Sequence, residues 1–164
     1  MSGSAPWLVC HTRPRCEKKF AALMRAEGFE HYLPLVSSAR RYGTRTRTFT
    51  KPLFTGYVFA AVPTELKQRI FQQELLARAI TVPEQECFLR QMEEVRKLLA
   101  AGLDLSVRPL LRKGRRARIK AGPLYGLTGI VENPDAPRGI IVAVDVLQQG
   151  VLVIVPVEHL EPLD

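Results

Sequence analysis

Gly122, Gly126 and Gly129 fall within the stretch AGPLYGLTGIV, Ala121 to Val131, directly after a run rich in arginine and lysine. Glycines beside cations are the raw material of a phosphate cradle, in which backbone N–H groups face the anion. A P-loop needs G-x-x-x-x-G-K-[ST] between a strand and a helix. Here three residues, not four, separate Gly122 from Gly126, and no Lys-Ser or Lys-Thr follows. The G-x-G-x-x-G spacing of a dinucleotide site is missing too, and the next segment reads as a strand. The expectation is therefore structural. Gly122 and Gly126 take positive φ in a turn between two strands, and Gly129 lets the second strand bend sharply.

The remaining reactive side chains point away from catalysis. Three cysteines (Cys10, Cys16, Cys87) and three histidines are scattered without metal-ligand spacing. Cys10 falls in a strand and Cys16 on an apolar helix face, so both read as core. Glu93 and Glu94 share a helix with Arg96 and Lys97 and read as a solvated face. No Ser-His-Asp or Cys-His grouping is supported by a motif. The expectation is a protein that is not an enzyme and holds no metal or cofactor.

Charge gives the more informative pattern. The net charge is +8. Residues 40–51 carry Arg40, Arg41, Arg45, Arg47 and Lys51 with no acid, and residues 108–120 carry seven cations with no acid. After Lys120 only Arg138 is positive, against Glu132, Asp135, Asp145, Glu158, Glu161 and Asp164. Two basic patches and an acidic end fit a nearby polyanion, nucleic acid first among them; solubility charge is the plainer alternative. No run approaches the ~18 apolar residues of a membrane-spanning helix. MSGSAPW lacks the basic start and apolar core of a secretory signal, so residues 1–5 are expected to be a disordered tail. An odd cysteine count without CxxC fits a reducing cytoplasm.

These side chains need elements to hold them. WLVCH reads as a buried strand, and a helix is expected from Pro14 to Gly28 with Cys16, Phe20, Leu23 and Met24 on one face. HYLPLVSSARR reads as one extended strand entering a hairpin. Its return, TRTRTF, puts Arg45 and Arg47 on one side and the threonines on the other. FTGYVFAAV returns as a strand with Tyr57 and Phe59 on one face. A helix capped by Thr64 runs towards Leu75, RAITV is a strand, and Pro83 opens a helix with Phe88, Met92, Val95 and Leu99 on its apolar face. After the irregular AGLDLSVRP the pattern changes to short β-rich runs: RARIK, TGIVE, GIIVAVDVL, VLVIVPV and HLEPL. The fold class expected is α+β. An α/β sandwich over 6–101 and a linker over 102–110 precede a small all-β barrel over 111–164.

RIKAGPLYGLTGIVE resembles the KOW motif, with Gly122, Pro123, Gly126 and Gly129 at its glycine and proline positions. WLVCHT, the helix and basic hairpin after it, and KPLFTGYVFAAV resemble the N-terminal (NGN) domain of the NusG family of transcription elongation factors. Both halves occur in the family's order. PLLRKGRRARIKAGPLYGLTGIV and VDVLQQGVLVIVPVEHLEPLD look closest to its specialised RfaH-like and polysaccharide-operon paralogues. The resemblance implies an NGN domain followed by an SH3-like KOW barrel. It also implies docking on the clamp helices of the β′ subunit of RNA polymerase, which suppresses pausing. Matching contact positions are Val9, His11, Phe54, Tyr57 and Phe59. From the residues alone strand aromatics read as core; the resemblance makes Phe54 and Tyr57 surface anchors and leaves Phe59 open.

Arg13, Arg15 and Lys19 match the region where RfaH-like proteins read a hairpin of non-template DNA; a solvated helix face is the alternative. Arg45 and Arg47 are the candidates for upstream DNA. The implied barrel partners are a small-subunit ribosomal protein or Rho. His11 stands where RfaH-like proteins have tyrosine, and the loop that would reach the β subunit is compressed to LLARAITVPEQE, leaving Gln68 and Arg69 as candidates. The β-branched alternation of the last strands favours an all-β form over a helical autoinhibited one. The implied function is operon-specific antitermination by a cytoplasmic bacterial monomer. The alternatives are a ribosomal-type KOW RNA-binding protein and a Rho-assisting terminator.

Overall fold

The computed structural model describes residues 5–110, 114–132 and 138–163. Residues 1–4 of the expected tail, Arg112 and Lys113 of the second basic run, and Asp135 lie outside the described residues. The chain divides into two compact units, Met1–Gln85 and Glu86–Asp164.

The first unit is built on β1 (Trp7–Thr12), α1 (Glu17–Ala26), β2 (Glu30–Tyr32), β3 (Leu35–Tyr42), β4 (Arg45–Pro52), β5 (Tyr57–Ala61), α2 (Lys67–Phe71) and β6 (Leu76–Thr81). Four strands form an antiparallel sheet in the order β2-β5-β1-β6, and β3 pairs only with β4 in a separate two-stranded ladder. Alternation assigns the faces. Leu8, Cys10, Val58 and Ala60 turn to one side, where Phe20 and Met24 of α1 and Ile70 of α2 complete a buried core. Trp7, Val9, His11, Tyr57 and Phe59 turn to the other side, as the registers Val9↔Phe59 and His11↔Tyr57 require.

Three local expectations change. The helix begins at Glu17, not Pro14, because Arg15 adopts φ 62° and the Cys16 N–H donates back to the Arg13 carbonyl, closing a turn first. It ends at Gly28 as expected: the Phe29 N–H bonds the Met24 carbonyl and the Gly28 N–H bonds the Arg25 carbonyl, a Schellman closure. HYLPLVSSARR is not one strand, since it breaks at Leu33-Pro34 and its halves enter different sheets. α2 stops at Phe71, short of Leu75, with Pro63 at the N-cap of the 3₁₀ turn that precedes it.

The second unit holds α3 (Gln85–Ala100), β7 (Leu105–Pro109), β8 (Arg116–Ile119), β9 (Thr128–Ile130), β10 (Gly139–Val144), β11 (Gln149–Ile154) and β12 (Leu160–Pro162). The six strands form one antiparallel sheet, ordered β12-β8-β9-β10-β11-β7. α3 buries Phe88, Met92, Val95 and Leu98, with Leu98 rather than Leu99 completing the stripe. By its contacts this helix groups with the C-terminal strands, whereas the sequence reading ends the first domain at residue 101. Within this unit the Gln91 amide ties α3 to the turn after β10: its Nε2 donates to Asp145 Oδ2 at 2.9 Å and its Oε1 accepts from the Asp145 N–H at 3.0 Å. The expected linker also contains a strand. Leu105 and Val107 alternate, and β7 runs in register with β11 from Leu105↔Val153 to Pro109↔Gln149.

Candidate functional site

The first site lies across β5, β1 and β6. His11 is exposed, Tyr57 is half-buried, and their rings stack at 4.9 Å with an 18° interplanar angle. On the other side of His11 the register places Arg78, also exposed. Three neighbouring strands thus present a phenol, an imidazole and a guanidinium in one row, with Ile80, 47% exposed, one rung along. The register shifts between His11 and Thr12, a bulge of the kind that re-aims a side chain at a sheet end.

The turn before β5 makes room for the His11 ring. Gly56 has φ 89°, and a Cβ there would stand 3.3 Å from His11 Cδ2. Its carbonyl accepts the Thr12 N–H at 2.8 Å. Its N–H donates to the buried carboxylate of Glu17 at 2.8 Å. The first turn of α1 therefore fixes the loop that delivers Tyr57.

The other expected contact residues of this face are not surface groups. Phe54 is 1% exposed, Phe59 is fully buried and Val9 is buried. Phe54 and Phe59 meet edge to face at 6.5 Å and 75°. Phe54 precedes β5, in the turn that ends at Gly56, and folds its ring against the sheet. Of the five positions, His11 and Tyr57 remain available to a partner. Arg78, which alternation along RAITV would have put on the same face as Ile80, joins them.

The second site is the β3–β4 ladder. Eight pairs run from Leu35↔Pro52 to Tyr42↔Arg45, and Gly43 turns the chain at φ 61°. One face carries Arg40, Tyr42, Arg45, Arg47, Phe49 and Lys51, together with Val36 and Ser38; the other carries the threonines and Arg41. The expected split of arginine from threonine holds. What the sequence reading missed is that Tyr42 and Phe49 share the arginine face, although Phe49 has the same parity as Arg45 and Arg47. Their rings lie 6.5 Å apart at 74°. Neither strand contains an acid. Lys18 of α1 anchors the base of the ladder, donating from Nζ to the Thr50 carbonyl at 2.7 Å and to Thr50 Oγ1 at 3.1 Å.

Arg13 and Arg15 follow β1 and Lys19 lies on α1, and all three are exposed. Arg13 is partly committed, since its Nε donates to the Glu74 carbonyl at 2.7 Å. Gln68 and Arg69 are exposed as well, and Arg69 forms an ion pair with Glu27 at 2.7 Å. Among the described residues no three His, Cys, Asp or Glu side chains gather as metal ligands. No described helix is long and apolar enough to cross a membrane.

The sequence model of the family described as transcription termination factor NusG matches residues 5–107. The chain belongs to the NusG family. Comparison with curated proteins gave no match. Membership gives the chain a role in transcription elongation or termination, and factors of this family generally bind RNA polymerase. The NusG match covers both sites above: the Tyr57–His11–Arg78 row and the β3–β4 ladder.

The glycine loop lies beyond the match. Gly122 and Gly126 have φ 88° and 91°, and the Gly126 N–H bonds the Ile119 carbonyl at 2.7 Å, closing a turn between β8 and β9. Pro123 is exposed in this turn, while Leu124 and Leu127 are buried beneath it. Gly129 serves close approach: a Cβ would lie 2.5 Å from the Ile141 carbonyl oxygen of β10. In β8 Arg116 and Arg118 point out and Ala117 and Ile119 point in, which is what the alternation in RRARIK requires.

Proposed function

We propose that this NusG-family chain docks on the clamp helices of the RNA polymerase β′ subunit through the Tyr57–His11–Arg78 row and promotes processive elongation. The observation that carries the reading is the stacked Tyr57–His11 pair, left accessible on a domain whose residues 5–107 match the family. Rigid aromatic rings supply large contact area at low entropic cost, and Arg78 adds a cation suited to an acidic helix partner. The β3–β4 ladder is read as the contact with upstream or non-template DNA, with Arg45 and Arg47 on phosphates and Arg13, Arg15 and Lys19 as a second basic contact. The β subunit, reached through Gln68 and Arg69, belongs to the same proposal.

The C-terminal strands are read as an SH3-like KOW barrel, with Gly122, Pro123, Gly126 and Gly129 in its motif. Its partner would be a small-subunit ribosomal protein or Rho. On this reading the chain is a specialised RfaH-like member: a cytoplasmic monomer that acts by binding, without catalysis or a cofactor. Transcription in vitro on a template with one strong pause tests the function. The expected result is a shorter pause and greater read-through on adding the protein. A shorter transcript that appears only with Rho present would replace this reading with assisted termination.

A further inference from the structure

The aromatic pair on the β3–β4 ladder has no role in packing the sheet core. Tyr42 is 52% exposed and Phe49 is 40% exposed. They occupy rungs on either side of the Arg40↔Arg47 rung. Two same-face steps along each strand separate those rungs, about 14 Å at ~3.4 Å per residue. Ring centroids 6.5 Å apart mean that the two side chains reach towards each other over the arginine rung. Both rings keep open surface, and the register puts Arg40, Arg45 and Arg47 on the same face of the ladder.

We propose that this face of the hairpin binds single-stranded DNA, the bases stacking on Tyr42 and Phe49 while Arg40, Arg45, Arg47 and Lys51 hold the phosphates. The proposal rests on the reading of the ladder as a DNA contact and adds the class of DNA. The chemistry selects the occupant. Four cations with no acid on either strand complement a polyanion. Phosphate contacts alone would serve duplex DNA equally well, and a duplex keeps its base faces stacked within the helix. Open aromatic surface is useful only where bases are unstacked, and stacking platforms flanked by cations are how single strands are held without sequence preference. Side chains on one strand face recur at about 6.8 Å, two residues of ~3.4 Å, a repeat that an extended single strand can follow.

Fluorescence anisotropy on the full chain tests this with three labelled probes of about 15 nucleotides: oligothymidine, a blunt DNA duplex and oligouridine. The variants are Tyr42→Leu with Phe49→Leu, which keeps apolar bulk, Tyr42→Phe with Phe49→Tyr, which keeps both rings, and Arg45→Ala with Arg47→Ala. The expected result is tighter binding of oligothymidine than of duplex or oligouridine. The leucine variant should weaken oligothymidine about fivefold or more and leave duplex binding unchanged. The ring-swapped variant should bind like the wild type. The arginine variant should weaken all three probes and reduce the salt slope on oligothymidine by about 1.4, two contacts at ~0.7 each. Equal or tighter binding of the duplex, tighter binding of oligouridine, or an unaffected leucine variant overturns the proposal. The pause assay is read separately. A shortened pause without single-strand preference leaves the proposed function standing, and single-strand preference without any effect on pausing does the reverse.

Discussion

Phe54 and His11 carry opposite duties on one sheet face. Phe54 is buried against Phe59, so Phe54→Ala should cost about 3–5 kcal/mol. That is a large part of the ~5–15 kcal/mol that holds an ordinary domain together. Urea unfolding should show the loss as a lower midpoint. Any failure of this variant to bind a partner would then report unfolding, not a missing contact. Cys10 lies beside His11 in β1 on the opposite face, and burial pushes its thiol up to about 12 from 9.0. The folded chain keeps the Cys10 proton where the unfolded chain releases it. Between pH 9 and about pH 12 the unfolded state therefore binds fewer protons, and stability falls as pH rises. At pH 8 iodoacetamide should modify the partly accessible Cys16 and Cys87 and spare Cys10 until the protein is unfolded. Equal labelling of all three under native conditions would show that the strand is not packed as described.

At the scale of elements, close approach and turn geometry separate the glycines. Gly129→Ala would push a Cβ into the Ile141 carbonyl oxygen at 2.5 Å, so the β9 and β10 backbones must part. Gly126→Ala meets nothing within 4 Å and bears only the strain of a positive φ, about 1–2 kcal/mol. Thermal unfolding should rank Gly129→Ala as the more damaging, with faster amide exchange at β10. The reverse order would undo the close-approach account.

The elements also show what the sequence could and could not convey. Period-two alternation is a local property, so the Arg/Thr split of β4, the faces of β5 and the outward arginines of β8 were all legible in the residues. Pro34 marks a break that reading HYLPLVSSARR as one strand passed over, because β2 pairs with β5 beyond the whole hairpin that β3 forms with its neighbour β4. The left-handed Arg15 carries no compositional mark, and it displaced the helix start by three residues. β7 looked like linker because its alternation is short and its partner β11 lies forty or more residues away.

For the whole molecule, the family was legible because KPLFTGYVFAAV is a specific string, and the match over residues 5–107 covers it. The surface was harder. Alternation says which residues share a face, not whether that face is covered, so Phe54, Phe59 and Val9 could not be told from His11 and Tyr57 without coordinates. The account of function therefore rests on two side chains that remain accessible and stacked. Co-purification with RNA polymerase, comparing wild type with His11→Ala plus Tyr57→Ala, tests it most directly. The account predicts that the wild type retains polymerase and that the variant loses affinity by about 2 kcal/mol or more, roughly thirtyfold, with its unfolding midpoint little changed. Polymerase bound equally by both proteins, or by neither, would contradict it.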